Sequence, residues 1–85
     1  MIYYLEMSDG IWKKDLEKFS LIEEKIFNNE NKKIILDFKE TRAIDYFGLK
    51  ALFLLKLKSK KEGIEIVFSN LRDYIREILK INGLE

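Results

Sequence analysis

The feature that most constrains the fold is a pair of short apolar runs separated by a long helical pattern. Residues 34–38 (IILDF) are nearly all apolar, which is typical of a strand that is covered on at least one face and lies near the centre of a sheet. Residues 64–68 (IEIVF) predict a second short strand. Because a helix connects them, we expect the two strands to be parallel with a right-handed crossover. The chain is therefore predicted to adopt an α/β fold with a mixed, mostly parallel sheet.

The other apolar patterns alternate between strand and helix. Residues 2–7 are short and aromatic-rich, which predicts a first strand, and residues 12–27 have apolar side chains at helical spacing. The long central helix should end near Lys61, and a final helix should occupy residues 71–81. This order predicts one domain, spanning residues 1–85, in which a small sheet packs with about three helices.

Polar residues stand ahead of two of these helices as candidate N-caps. Asp45 is one residue ahead of the central helix, where its carboxylate is expected to accept unpaired backbone N–H groups for about 1 kcal/mol. Ser69 or Asn70 is expected to cap the final helix in the same way. Residues 39–44, between the first apolar run and Asp45, are predicted to be a connecting loop.

The residue inventory excludes most catalytic chemistry. The 85 residues include no histidine and no cysteine, and these two residue types supply most near-neutral proton transfer, thiol nucleophiles and transition-metal ligands. We therefore expect no metal and no other cofactor. Asp37 and Asp45 are the candidate pair for a carboxylate-dependent enzyme, but the capping role of Asp45 and the short chain disfavour that function.

Charge and hydropathy also limit the classes of partner and the cellular location that we expect. A net charge of +1 gives no electrostatic reason for nucleic-acid binding. No apolar run approaches the ~20 residues that span a bilayer, and Glu6 and Asp9 interrupt the start where a signal peptide would be apolar. We expect a cytoplasmic protein with no direct membrane insertion.

Four sequence elements, in this order and spacing, resemble the STAS domain, the fold of bacterial anti-sigma factor antagonists. They are Asp37 at the end of its apolar run, residues 44–49 (IDYFGL), Gly63 before the second run, and residues 78–84 (ILKINGL). A weaker likeness covers residues 10–11, which resemble the glycine-led second strand of the family. The resemblance implies a small STAS-like α/β domain that binds protein partners and is not an enzyme.

The resemblance also implies a partner switch, from which this chain departs. In the family, the unmodified domain binds an anti-sigma factor, which is often also a serine kinase, and phosphorylation ends the binding. The usual motif has two small hydroxyl residues between the aspartate and Gly-Leu, and the first accepts the phosphate. Tyr46 occupies that acceptor position and Phe47 the second. We therefore expect a partner-binding domain that lacks the serine phosphorylation switch.

Two other functions remain open beside this one. The chain is alternatively a cytoplasmic STAS regulatory subunit of a transporter complex, of the lipid-trafficking ATPase type, which needs no phosphorylation. The third candidate is the small carboxylate-dependent enzyme. The family usually continues into a further short segment after Leu84. Three alternatives are open: the segment is dispensable, a partner contributes it, or homodimerisation replaces it.

The candidate partner-binding residues lie in the loop and the first turns of the helix that follows. They are Asp45, Tyr46, Phe47, Gly48, Leu49 and Phe53. The aromatic pair has two interpretations: either it forms a permanent contact with a partner, or Phe47 packs into the core and Tyr46 is an ordinary surface aromatic.

Helical spacing divides the apolar residues of the central helix into two stripes. The sheet-facing stripe comprises Gly48, Ala51, Leu52, Leu55 and Ser59. The second comprises Tyr46, Leu49, Phe53 and Leu57, flanked by Lys50, Lys56 and Lys60. An exposed apolar stripe edged with lysine suits a protein-binding surface. We nevertheless expect the preceding helix to cover much of it, through Phe19 or Ile26, and to leave Tyr46 and Leu49 exposed.

Overall fold

Three parallel strands form the main sheet. The computed structural model describes residues 2–7, 10–11, 17, 19–20, 23–24 and 33–84. Within these residues the strands in chain order are β1 (Ile2–Glu6), β2 (Gly10–Ile11), β3 (Lys33–Asp37), β4 (Ala43–Ile44) and β5 (Glu65–Ser69). The main sheet has the order β1-β3-β5, and both of its pairings are parallel. The α/β prediction is confirmed.

The central position of β3 explains its apolar run. β3 pairs on one edge with β1 and on the other with β5, so that Ile34 lies between Tyr3 and Ile66 in register. Ile34 and Leu36 are buried, as a strand with neighbours on both edges and packing on its face requires. The prediction that residues 34–38 form a central strand is therefore confirmed, with bounds one residue earlier.

A second, two-stranded sheet lies ahead of the central helix. Gly10 pairs with Ala43, and Ile11 with Ile44, in parallel. The likeness of residues 10–11 to a glycine-led strand is therefore confirmed. The prediction that all of residues 39–44 form a loop is wrong at β4, because a strand of two residues is too short to show a periodic pattern.

Two helices are defined within the described residues, α1 (Tyr46–Lys61) and α2 (Asp73–Ile81). α1 has the predicted bounds, and its buried residues Gly48, Leu52, Leu55 and Ser59 belong to the predicted sheet-facing stripe. α2 buries Ile75 and Leu79 and begins two residues later than expected.

The predicted helix over residues 12–27 lies mostly outside the described residues. Its described members, at 17, 19, 20, 23 and 24, are helical. Among them, Phe19 is buried and joins the hydrophobic core. The helices whose bounds the structure gives are thus fewer than the three predicted.

The helix ends show which of the expected caps form. Asp45 caps α1 as predicted, because its Oδ1 accepts a hydrogen bond from the Gly48 backbone N–H at 2.8 Å. The expected cap of α2 is wrong: the N-cap is Arg72, with no side-chain capping bond. Asn70 instead has a φ of +55°, and its Nδ2 donates to Asp37 Oδ1 at 3.1 Å. Its side chain is therefore engaged with β3.

Candidate functional site

The candidate site begins at the first turn of α1, where a polar cap carries two aromatic side chains. Asp45 has an extended backbone (φ −94°, ψ 177°), and its carbonyl accepts the Leu49 N–H at 3.0 Å. Gly48 is buried, so the first turn packs closely against the rest of the domain. The backbone that precedes this turn is held by the β2–β4 pairing, which ends at Ile44. The start of α1 is therefore fixed from both sides.

Tyr46 and Phe47 project from this fixed start. Tyr46 is 69% exposed and Phe47 is 40% exposed. Their rings meet edge to face, with centroids 5.6 Å apart and an interplanar angle of 81°. This geometry is a favourable one for aromatic pairs. The expectation that Phe47 packs into the core is therefore wrong, whereas Tyr46 is at the surface, as both interpretations of the aromatic pair require.

The six predicted site residues therefore fall into two groups. Asp45 and Gly48 build the helix start, with a half-buried carboxylate and a buried glycine. Tyr46, Phe47 and Phe53 are exposed. The expectation that Leu49 stays exposed is wrong, because Leu49 is half-buried against the core. Sequence reasoning placed all six at one site, and the structure separates those that form the scaffold from those that solvent can reach.

The second stripe of α1 is more open than expected. Phe53 is 44% exposed and Leu57 52% exposed. Phe19, which was expected to cover them, instead lines a cleft with Phe47, Ala51 and Leu54, on another side of α1. The expected covering by Phe19 is therefore wrong, and Ile26 lies outside the described residues.

Two adjoining hollows border the second stripe, and together they form what we call the α1 groove. The first, of about 250 Å³, lies between the start of α1 and the turn after α2. The second, of about 350 Å³, continues towards the end of α1 and β5. Phe53 and Leu84 line both hollows. Sequence reasoning missed this groove, because its second wall comes from the turn at residues 82–84, which is distant in the chain.

Lys56 fastens that second wall to α1. Its Nζ donates to the Leu84 carbonyl oxygen at 2.8 Å and lies 5.2 Å from the centroid of the Phe68 ring. Leu84 is buried, and its N–H donates to the Leu79 carbonyl. These hydrogen bonds fix the position of the turn after α2 relative to α1.

A separate polar network lies at the carboxyl ends of the strands. Asp37 is 1% exposed, and its carboxylate accepts hydrogen bonds from the Tyr4 hydroxyl, from the Lys39 N–H at 2.9 Å and from Asn70 Nδ2. The Tyr4 hydroxyl is the main cause that lowers the pKa of Asp37, followed by the Lys39 N–H. The same bond raises the pKa of Tyr4. Lys39 also pairs with Glu6 at 3.0 Å, which raises the Lys39 pKa.

This network gives the two candidate catalytic carboxylates different structural tasks. Asp37 ties β1 and the turn after β5 to β3, whereas Asp45 caps α1. Within the described ranges, no cluster of three histidine, cysteine or acidic residues is arranged to hold a metal ion. The sequence offered no signal for the Tyr4 and Asn70 contacts, since each partner is 33 positions away from Asp37.

No helix in the part of the chain that the structure describes is both long and apolar enough to cross a membrane.

Comparison with curated proteins finds no match. Among solved structures, the chain is similar to the crystal structure of a sulfate transporter family protein from Wolinella succinogenes, with a TM-score of 0.86 and 18% sequence identity. The likeness covers 98% of this chain and 67% of that one.

The sequence itself identifies the family more directly than that structural likeness, which shows the fold. The family profile of the STAS domain matches residues 13–85. The match includes β3, α1, β5 and α2, and with them the capped aromatic turn and the α1 groove. The chain belongs to the STAS domain family.

Proposed function

We propose that this STAS domain is a non-enzymatic partner-binding protein of the anti-sigma factor antagonist type. It binds an anti-sigma factor or a comparable signalling protein in the cytoplasm, through residues 45–49 and the helix that follows. Residues 1–85 act as one domain in this proposal. STAS domains generally are regulatory and mediate protein–protein interactions. The observation that carries the proposal is the exposed Tyr46–Phe47 pair on a fixed helix start.

Exposed aromatic side chains on a rigid support are suited to binding a protein. Tyrosine and phenylalanine are enriched in the centres of interfaces, where they supply a large contact area. A pair whose rings already pack on each other loses little conformational freedom on binding, and that lowers the cost of association. The cap from Asp45 and the burial of Gly48 hold the backbone beneath them.

The proposed partner is not released by serine phosphorylation. Tyr46 stands where the family has its phosphate acceptor, and its hydroxyl lies at the far end of an exposed ring. A kinase site shaped for the short side chain of serine does not place this hydroxyl at the reacting phosphate. Binding is then regulated by the amount of protein present.

A transporter-associated role is the second candidate. Its support is the structural likeness to a sulfate transporter family protein. In this role the domain is a cytoplasmic regulatory subunit, for example of a lipid-trafficking ATPase complex, and it uses the same aromatic turn. The enzyme alternative has less support, because three hydrogen bonds already occupy the buried Asp37 carboxylate.

Affinity purification from the host separates these functions. The tagged 85-residue chain and its Tyr46→Ala variant are purified in parallel, and co-eluting proteins are identified by mass spectrometry. An ATPase-fold kinase captured by the parent and lost from the variant supports the antagonist role, whereas a membrane transporter supports the second candidate. The matched control is Tyr74→Ala, which removes an exposed tyrosine from α2, outside the α1 groove. Equal recovery of the same protein by Tyr46→Ala and by the parent contradicts the proposal.

A further inference from the structure

The α1 groove has a one-signed charge distribution. The charged side chains that line its two hollows are Lys50, Lys56 and Lys60, and its described lining includes no aspartate or glutamate. This bias is local, since the whole chain carries only +1. A hollow lined by one sign of charge attracts groups of the other sign.

Two of these lysines have their charge available. Lys50 and Lys60 are exposed, and neither has an ion-pair partner among the described residues. Lys56 donates to a carbonyl oxygen, which holds the ammonium in place without neutralising it. The groove thus offers one hydrogen-bonded and two exposed positive charges around an apolar floor formed by Phe53, Leu57 and Leu84.

We infer that the α1 groove accepts an apolar segment of a partner protein that carries acidic side chains at both ends. This inference rests on the proposed partner-binding function and specifies the chemistry of the partner. The apolar side chains of the segment bury Phe53 and Leu57, and its carboxylates face Lys50 and Lys60. Burial supplies affinity, and charge complementarity supplies orientation and selectivity.

The spacing of the lysines sets the length of the segment. Lys50 and Lys60 are ten residues apart on α1, which corresponds to roughly 15 Å along the helix axis. An extended chain covers that distance in about five residues. The acidic side chains of an extended partner segment are therefore separated by about this number of positions.

The concave shape favours a protein segment over a membrane surface. Helices that bind anionic bilayers insert an apolar face into the acyl region. Here the apolar residues instead line hollows between α1 and the turn after α2, which receive protruding side chains. Membrane binding and pairing with a second copy of the chain are outcomes that the experiment distinguishes.

The test starts from an unbiased selection of peptides. A phage-displayed library of random 12-residue peptides is panned against the full 85-residue protein, and the enriched sequences are read. We expect enrichment of aspartate and glutamate together with leucine, phenylalanine or tryptophan. Enrichment of basic sequences, or of apolar sequences without acidic residues, overturns the inference.

The groove is then located with the synthetic consensus peptide and fluorescence anisotropy. The double variant Lys50→Glu/Lys60→Glu and the variant Phe53→Ala should each weaken binding at least tenfold, and affinity should fall as salt is added. The matched control Lys61→Glu reverses a charge in the last turn of the same helix, outside both hollows, and should change affinity less than twofold. Circular dichroism establishes that the variants are folded. Unchanged affinity of the double variant overturns the inference.

Two parallel measurements address the other occupants. Sedimentation of the protein with phosphatidylglycerol vesicles tests the membrane, and analytical ultracentrifugation of the protein alone tests a second copy. Either vesicle binding or a dimer that the double variant abolishes overturns the inference.

The inference and the proposed function can fail separately. If the cellular partner is lost with Tyr46→Ala but kept by the double variant, only the inference fails. If acidic peptides bind the groove and no cellular partner depends on Tyr46, only the proposed function fails.

Discussion

Single carboxylates hold both ends of the segment that leads into α1. Asp37 anchors its start to β1 and to the turn after β5, and Asp45 anchors its end to the first turn of the helix. The two anchors depend on different partners. Asp37 is buried and accepts side-chain donors that are distant in the chain, whereas Asp45 accepts from a backbone N–H three residues ahead. Each anchor therefore has its own experimental signature.

The Asp37 anchor should be visible in the pH dependence of stability. Its pKa is lowered in the folded state, so its stabilisation is complete above the ordinary carboxyl pKa of about 3.9 and is lost as the pH falls through the folded pKa. Tyr4→Phe removes the main cause of that shift. In urea unfolding from pH 7 to pH 2, the variant should be less stable at pH 7, and the difference should shrink only below about pH 4.

Tyr4 predicts a loss of stability at the alkaline end as well. Its pKa is raised in the folded state, so the contribution of the hydroxyl to stability is full below its unfolded pKa of about 10 and is lost as the pH rises through the folded pKa. Tyr74→Phe, on the exposed side of α2, is the matched control and should follow the parent. A stability difference between Tyr4→Phe and the parent that stays constant across the acidic range rejects the Asp37 anchor.

Removing the Asp45 cap should cause a modest loss of folding stability. Asp45→Ala should reduce the free energy of unfolding by about 0.5–2 kcal/mol, because the Gly48 N–H loses its acceptor. Asp45→Asn keeps a capping oxygen and should stay close to the parent. Denaturant unfolding measures both, and an alanine variant as stable as the parent shows that the cap contributes nothing.

Tyr46 predicts an absence of modification by a serine kinase. When the protein is incubated with ATP and the anti-sigma kinase that it captures, intact-mass spectrometry should show no added phosphate. Tyr46→Ser restores a hydroxyl of the family type at the same helix position and serves as the comparison. A phosphate on the parent protein contradicts the loss of the switch.

At the scale of elements, α1 has a buried side and an exposed side, and we propose that the exposed side binds the partner. Leu52 and Leu55 are fully buried against the core, whereas Phe53 and Leu57 are exposed on the second stripe. The difference follows from the 100° turn between successive helical residues, which places neighbours in sequence on different surfaces. The sheet-facing side determines stability, and the second stripe is available for binding.

A pair of leucines tests this division. Leu52→Ala should cost about 2–5 kcal/mol in the free energy of unfolding, because it leaves a cavity in the core. Leu57→Ala removes the same atoms from an exposed position and should change stability by about 0.5 kcal/mol or less. Thermal or denaturant unfolding compares them, and similar losses for the two variants contradict the placement of the stripes.

The elements that could be predicted from sequence are those whose pattern is long or strongly apolar. β3 and α1 were predicted almost to the residue, as was the Asp45 cap, because their signals lie within a few residues of each other. β4 has two residues and no period. Asn70 is of a residue type that often caps helices, yet its amide donates to Asp37. Only the folded sheet brings these two residues together.

The candidate site could also be predicted only in part from the sequence. Periodicity predicted that Tyr46 and Phe53 share a stripe, and the structure leaves both exposed. Periodicity could not predict which neighbour packs against that stripe, and Phe19 lies elsewhere. The α1 groove needs Leu84 for its second wall, and no local pattern connects residue 84 with Phe53.

At the scale of the whole molecule, different constraints determine the backbone fold and the proposed binding surface. A TM-score of 0.86 at 18% identity shows that this backbone is built by very different sequences. Burial and sheet register determine the backbone fold. Here β3 and β5 supply the register, and the buried side of α1 packs in the core. The function of a domain is set by the groups on its surface, and this chain exposes the aromatic pair Tyr46 and Phe47 at the start of α1.

The most direct test is an isothermal titration of the purified partner with the parent protein, with Tyr46→Ala and with the Tyr74→Ala control. Truncating a central interface aromatic costs about 2 kcal/mol or more, so Tyr46→Ala should weaken binding by roughly 30-fold or more. Its thermal unfolding should match that of the parent, since Tyr46 is exposed. Partner affinity that is the same for Tyr46→Ala, Tyr74→Ala and the parent contradicts the account.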